Sequence, residues 1–191
     1  MKLLEQAISE RGQAIGTEVL LVDSFLNHQV DVELMREIGE EFARHFEGRG
    51  IDRVATIESS GIAPAAFTAL ALHVPLLIMK KQASKIMAGN LLSTTVISFT
   101  KGKEYSLTAK WDFLPKGENV LFIDDFLAYG EAALGAKKLI EQAGATLAGV
   151  GIVIEKSFQK GPERLREAGI DLYSLARIRS MADGKIEFME D

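Results

Sequence analysis

Short aliphatic runs alternate with helical segments through most of this chain, and no other feature limits its fold as strongly. Residues 53–57 lead into a helix through Ala71, and 75–79 follow. Residues 120–123 lead into a helix from about Gly130 to Ala143, and 147–154 come after it. A helix between two strands carries the chain back to the end of the sheet it left, so the strands it joins run parallel. The pattern predicts an α/β fold, a mostly parallel sheet flanked by helices. Ahead of it, Met35, Ile38, Phe42 and Phe46 recur at helical spacing, with Asp31 as cap and Gly48 and Gly50 as stops. Residues 92–111 break the alternation. Thr-Thr-Val-Ile-Ser-Phe, a Thr-Lys-Gly-Lys turn and Glu-Tyr-Ser-Leu-Thr-Ala-Lys-Trp predict an antiparallel hairpin over the sheet. Short strands at 171–178 and 185–189, with Asp183-Gly184 as the turn, end the chain.

No repeat, linker or low-complexity tract divides the 191 residues, which are expected to form a single domain. With 22 basic and 27 acidic residues the net charge is −5, which offers no footprint for nucleic acid or an anionic membrane. No cysteine is present, so disulfides, thiolate metal sites and a cysteine nucleophile are excluded, and a reducing cytoplasm is the expected location. The opening helix carries Glu5, Glu10 and Arg11 and lacks the apolar core of a secretory signal. Residues 61–79 are uncharged and long enough to span a bilayer, but Pro75 is expected to end a helix near His73 and divide them into helix and strand. His28, His45 and His73 lie on different elements without metal-ligand spacing.

Chemistry concentrates after the strand Val120-Leu-Phe-Ile. Two acids, Asp124 and Asp125, stand at its carboxyl end, where open α/β sheets bind ligands. Adjacent carboxylates repel one another and are favoured where hydroxyls, cations or helix-terminal amides relieve them. The loop that follows enters a helix, whose free N–H groups and dipole attract anions. Acids for sugar hydroxyls and amides for phosphate together match a ribose phosphate. The plainer alternative is a solvated Asp124 and an Asp125 that caps the helix. Glu58-Ser59-Ser60-Gly61 also joins a strand to a helix, and is either a second anion loop or a serine-capped helix start. No Gly-x-Ser-x-Gly frame surrounds Ser59 or Ser60, which argues against a serine hydrolase. Lys80 and Lys81 follow the next strand, as solvated residues or as point charges for a phosphate. Lys156 closes the strand at 147–154. It and Phe158 are either a surface lysine and a core aromatic, or an oxygen-directed donor and a stacking ring. Trp111 and Tyr105 fall on the hairpin, where aromatic side chains usually pack across strands.

The segment from Val120 to Ala132, with four hydrophobic residues, two acids, two hydrophobics and a short loop, resembles the phosphoribosyl-diphosphate signature of the type I phosphoribosyltransferases. Val22-Asp-Ser-Phe-Leu-Asn27-His-Gln-Val-Asp31, Ile57-Glu-Ser-Ser-Gly-Ile-Ala-Pro64, Asn90-Leu-Leu with Ile97-Ser-Phe-Thr-Lys101, and Gly151-Ile-Val-Ile-Glu-Lys156-Ser-Phe158 are similar to the bacterial xanthine phosphoribosyltransferases. The resemblance implies the type I phosphoribosyltransferase fold with a small hood from about residues 1–30 and the C-terminal strands. The implied reaction joins xanthine to the ribose of phosphoribosyl diphosphate, a purine-salvage step that releases diphosphate.

It further implies that Asp124 and Asp125 contact the ribose hydroxyls and stabilise a cation-like ribose. Ala128, Tyr129, Gly130, Glu131 and Ala132 are expected to wrap the 5′-phosphate. Ser59, Ser60, Gly61 and Lys81 are expected to hold the diphosphate, with the lysine loop shared across a homodimer. Leu20, Asn27, Lys156 and Phe158 are expected to bind the base. Magnesium is expected to arrive with the diphosphate rather than in a carboxylate cage. The loop departs from the superfamily at Tyr129 and Glu131, which replace small residues, and at Ala132, which lacks a phosphate-binding hydroxyl. Backbone amides then matter more. The same fold serves some purine-responsive repressors, the alternative reading, but the first element spans only about ten residues, no helix-turn-helix is expected and the net charge is negative.

Overall fold

The computed structural model describes residues 1–81, 90–98, 103–182 and 184–190. Helix α1 (Lys2–Arg11) precedes a small hairpin, β1 (Gln13–Ile15) and β2 (Val19–Leu21), and a π-helical turn at Asp23–Asn27. Then come α2 (Val32–His45), β3 (Arg53–Ile57), α3 (Ile62–Leu72) and β4 (Leu76–Met79). The excursion follows as β5 (Leu91–Ser98) and β6 (Lys103–Lys110). The chain closes with β7 (Asn119–Leu127), α4 (Glu131–Gln142), β8 (Thr146–Lys156), α5 (Gly161–Glu167), β9 (Leu172–Ala182) and β10 (Lys185–Phe188).

Six strands form the central sheet in the order β10-β9-β8-β7-β3-β4, all parallel except the edge strand β10. Its middle strands are buried on both faces. On β7, Val120 and Phe122 join a cluster with Ala136, Leu139 and Ile140 of α4, while Leu121 and Ile123 join the opposite cluster with Met35, Ile38 and Phe42 of α2. This double burial is why these strands read as unbroken aliphatic runs. α3 packs on the α2 side through Ala65 and Ala69, and its carboxyl end is closed by His73 in the left-handed conformation, two residues before Pro75. The uncharged stretch thus divides into helix and strand, and no described helix is long and apolar enough to cross a membrane. Asp31 caps α2, its Oδ1 accepting the Leu34 N–H at 3.2 Å, as its position before the periodic residues suggests.

Two features depart from expectation. β7 continues through both acids to Leu127, because the long β8 runs beside it, pairing Asp124 with Ile152 and Leu127 with Glu155. The C-terminal strands are part of the central sheet. β9 pairs with β8 as far as Lys156 opposite Ile178, and the β9–β10 hairpin then runs beyond β8 at the carboxyl end of the sheet. The β5–β6 hairpin lies over α4, where Gly135 admits Val96, since a Cβ there would come within 2.5 Å of it. Its turn lies outside the described residues, as does Asp183 of the final turn.

Candidate active site

The site opens where two neighbouring strands stop pairing. β3 and β7 are joined from Arg53–Val120 to Ala55–Phe122 and no further. Their crossover helices leave to opposite faces, α3 to one cluster and α4 to the other. Such a reversal leaves a crevice at the carboxyl ends of the strands. Asp124 and Asp125 extend from β7 along one wall, and the Glu58–Gly61 loop leaves β3 on the other.

Asp124 is buried and its Oδ1 accepts the Asp125 N–H at 3.0 Å, while Asp125 is half-buried. Burial, and then the charge of Asp125, push the Asp124 carboxyl well above the usual carboxylate range. Burial also raises Asp125, and the Lys81 charge pulls both downward. Two desolvated carboxylates side by side are a costly arrangement that hydroxyl donors or a cation would relieve.

The Glu58–Gly61 loop comes close to these acids. A Cβ on Gly61 would lie 2.4 Å from the buried Thr56 Oγ1 and 2.8 Å from Asp124 Oδ1. Only glycine lets the loop pass this near. Gly61→Ala is therefore expected to move Asp124, to cost about 1–3 kcal/mol in stability, and to lower kcat more than the loss of folded protein explains. Melting and turnover measured on the same sample check this, and unchanged turnover would contradict it. Ser59 is exposed and Ser60 half-buried. Glu58, which sequence reasoning passed over, ties the loop to the end of β4: one oxygen takes the Lys80 ammonium at 2.9 Å and the other the Lys81 N–H at 2.9 Å. Lys80 is thus engaged structurally, while the Lys81 charge reaches the acids of its own chain.

After the acids, Ala128 to Ala132 turn into α4. Gly130 adopts φ +84°, a left-handed conformation natural to glycine, and begins the helix without a side-chain cap. The amides of the first turn are left for a ligand or water. Glu131, awkward beside a phosphate, is paired at 2.7 Å with Arg164 of α5, which the sequence did not single out. Tyr105, expected only to pack across the hairpin, has its hydroxyl held above the ordinary tyrosine range by burial and then by the charges of Asp124 and Glu131. The hairpin thus brings a polar group within the field of the acids. Its register with β5 carries no sequence signal of that.

At the carboxyl end of β8, on the same edge of the sheet, the Lys156 ammonium donates to the Glu18 carbonyl between β1 and β2, and lies 5.4 Å from the centre of the Phe126 ring. Burial lowers its pKa. The amino-terminal hairpin is thereby drawn over the end of β8. Leu20 is buried at 6% exposure within the core, opposite Ala14 in the β1–β2 hairpin. Asn27 is exposed at the end of the π-helical turn, and Phe158 is exposed at 41%. Among the described residues no three His, Asp or Glu converge as a metal-ligand set.

Residues 22–168 match the phosphoribosyl transferase domain family. The chain is 54% identical over 187 residues to a xanthine phosphoribosyltransferase of Clostridium botulinum, with 98% of each chain covered. It is 52% identical over 191 residues to one of Agathobacter rectalis, with all of both chains covered. Among solved structures it resembles adenine phosphoribosyltransferase from Thermoanaerobacter pseudethanolicus, with TM-score 0.69, 27% identity and coverage of 77% of this chain and 82% of that one. It also resembles the Giardia lamblia enzyme complexed with 9-deazaadenine, with TM-score 0.77, 22% identity and coverage of 91% and 97%. The second likeness bears on the fold alone.

Proposed function

The chain belongs to the phosphoribosyl transferase domain family, and on that premise we propose that it transfers 5-phosphoribose from phosphoribosyl diphosphate to xanthine, giving xanthosine 5′-monophosphate and diphosphate. The observation that carries the chemistry is the acid pair at the β3–β7 opening, Asp124 buried and Asp125 half-buried, with a strand-to-helix loop on either side of it. Half-identity to xanthine phosphoribosyltransferases over the whole chain supports the choice of base.

In this reading Asp124 and Asp125 accept from the ribose hydroxyls. As the bond from the ribose carbon to diphosphate breaks and the bond to the purine nitrogen forms, positive charge builds on the ring, and the preset carboxylates stabilise it. The amides from Ala128 to Ala132 hold the 5′-phosphate, and those of Ser59, Ser60 and Gly61 hold the diphosphate with the Lys81 charge. Lys156 donates to the carbonyl at the purine six-position, Asn27 addresses the far edge of the base, Phe158 stacks on it, and the backbone of Leu20 lines the hood.

Magnesium bound with the diphosphate supplies charge neutralisation. The desolvated acid pair beside the diphosphate loop fits its presence nearby. We place this purine-salvage step in the cytoplasm, in keeping with a chain that lacks cysteine.

Supplying magnesium, phosphoribosyl diphosphate and each purine in turn, and following nucleotide formation, tests reaction and base together. Xanthine is expected to be the preferred acceptor, and no nucleotide from any purine would overturn the reading. The proposal includes a homodimer that shares the Lys80-Lys81 loop, whose continuation from 82 to 89 lies outside the described residues. Sedimentation is expected to give about twice the 20.9 kDa of one chain, and a fully active monomer would contradict the shared loop.

A further inference from the structure

Glu131 stands at the first position of α4, where the helix dipole welcomes an acid but a bound phosphate repels it. It is not left to solvent. Arg164 Nη1 meets Glu131 Oε1 at 2.7 Å, with side-chain exposures of 33% and 15%, so the pair is only partly screened by water. The same nitrogen donates to the Tyr129 carbonyl. One residue earlier in the loop, the Ala128 carbonyl accepts the Gly161 N–H at 2.9 Å. Two consecutive carbonyls of the loop are therefore turned toward α5.

In a trans peptide the C=O and the following N–H point in opposite directions. Fixing the carbonyls of Ala128 and Tyr129 on α5 aims the N–H groups of Tyr129 and Gly130 away from it, toward the inside of the loop. The contact is close: a Cβ on Gly130 would come within 2.5 Å of Leu165, and one on Gly161 within 2.6 Å of the Ala128 carbonyl oxygen. The Glu131 charge is also felt at the Tyr105 hydroxyl together with that of Asp124, so its neutralisation matters at the site.

We propose that Arg164 is a positioning residue for the 5′-phosphate of phosphoribosyl diphosphate: it neutralises Glu131 and holds the loop carbonyls outward so that the loop amides face the phosphate. The inference rests on the reading of Ala128–Ala132 as the phosphate loop. It explains how a loop with glutamate in place of a small residue still accepts an anion. Arg164 itself touches no reacting atom.

The test is calorimetric titration of the intact protein with magnesium and phosphoribosyl diphosphate, alongside steady-state kinetics. Arg164→Ala is expected to weaken phosphoribosyl diphosphate roughly ten- to a hundredfold, as for a lost charged hydrogen bond. The KM for xanthine, measured at saturating phosphoribosyl diphosphate, should change little. Adding Glu131→Gln to Arg164→Ala removes the exposed charge and is expected to recover much of the lost affinity, and Arg164→Lys to fall between wild type and Arg164→Ala. Unaltered affinity in Arg164→Ala and Arg164→Lys, or a double variant no better than Arg164→Ala alone, would overturn the inference while wild-type binding leaves the proposed function intact. If the wild type fails to bind phosphoribosyl diphosphate, both fall together.

Discussion

Adenine is expected to be used about a thousandfold less well than xanthine, because a site built around a donor leaves that donor unpaired against an amino group. The donor is Lys156. Its ammonium is half-buried at the end of β8, drawn against the Phe126 ring and the Glu18 carbonyl, so it has little water to fall back on. Lys156→Ala is expected to weaken xanthine use without making adenine a good substrate, since the space left behind offers no acceptor. The link to Glu18 adds a rival outcome. If Lys156 serves only to hold the amino-terminal hairpin over β8, its loss loosens the hood and lowers kcat/KM for every base by the same factor. The ratios of kcat/KM for xanthine, guanine, hypoxanthine and adenine in wild type and variant separate the two, and unchanged ratios would remove Lys156 from the base pocket. Asn27→Ala, at an exposed position, is expected instead to narrow the differences among the three oxopurines, which differ at the other edge of the ring.

Asp124→Asn is expected to lower turnover by about ten- to a hundredfold, the worth of a charged hydrogen bond of about 1.5–3 kcal/mol, while raising the melting temperature at neutral pH. The two effects have one cause. Burial and the neighbouring Asp125 hold the Asp124 carboxyl well above its usual range. Between the ordinary carboxylate pKa and the raised one, the folded protein keeps a proton that the unfolded chain gives up. The group's stability is therefore fully present below the ordinary value and is lost as pH rises through the raised one. An asparagine carries no such charge at any pH. The stability advantage of the variant should thus be largest at neutral pH and shrink as pH falls toward about 4. Melting curves across that range, paired with kcat, check both halves. Near-normal turnover in Asp124→Asn and in Asp125→Asn would remove the pair from the chemistry.

The unbroken apolar runs of β3, β7 and β8 and the helical periodicity of α2 were legible in the chain, because a strand buried on both faces or a helix buried on one imposes its period on local sequence. For the same reason the acid pair stood out: charges at the end of such a run are locally anomalous. The cap at Asp31 and the stop of α3 before Pro75 are local too, decided by the hydrogen bonds and backbone angles of a few neighbouring residues.

What the sequence could not supply were relations between distant positions. That Gly61 must be bare because Asp124 stands opposite, that Arg164 covers Glu131, and that Lys156 meets the Glu18 carbonyl all join segments 33 to 138 residues apart. A hydrogen bond across such a separation imposes no period on its surroundings, and each residue looks ordinary where it stands. The continuation of β7 through two carboxylates was hidden as well, since only the presence of β8 alongside makes a strand there favourable. Local sequence therefore determined the elements and their order and marked where charge was out of place. The tertiary fold decided which charges face one another, because that depends on the order in which strands pack, and backbone hydrogen bonding sets that order without regard to distance along the chain.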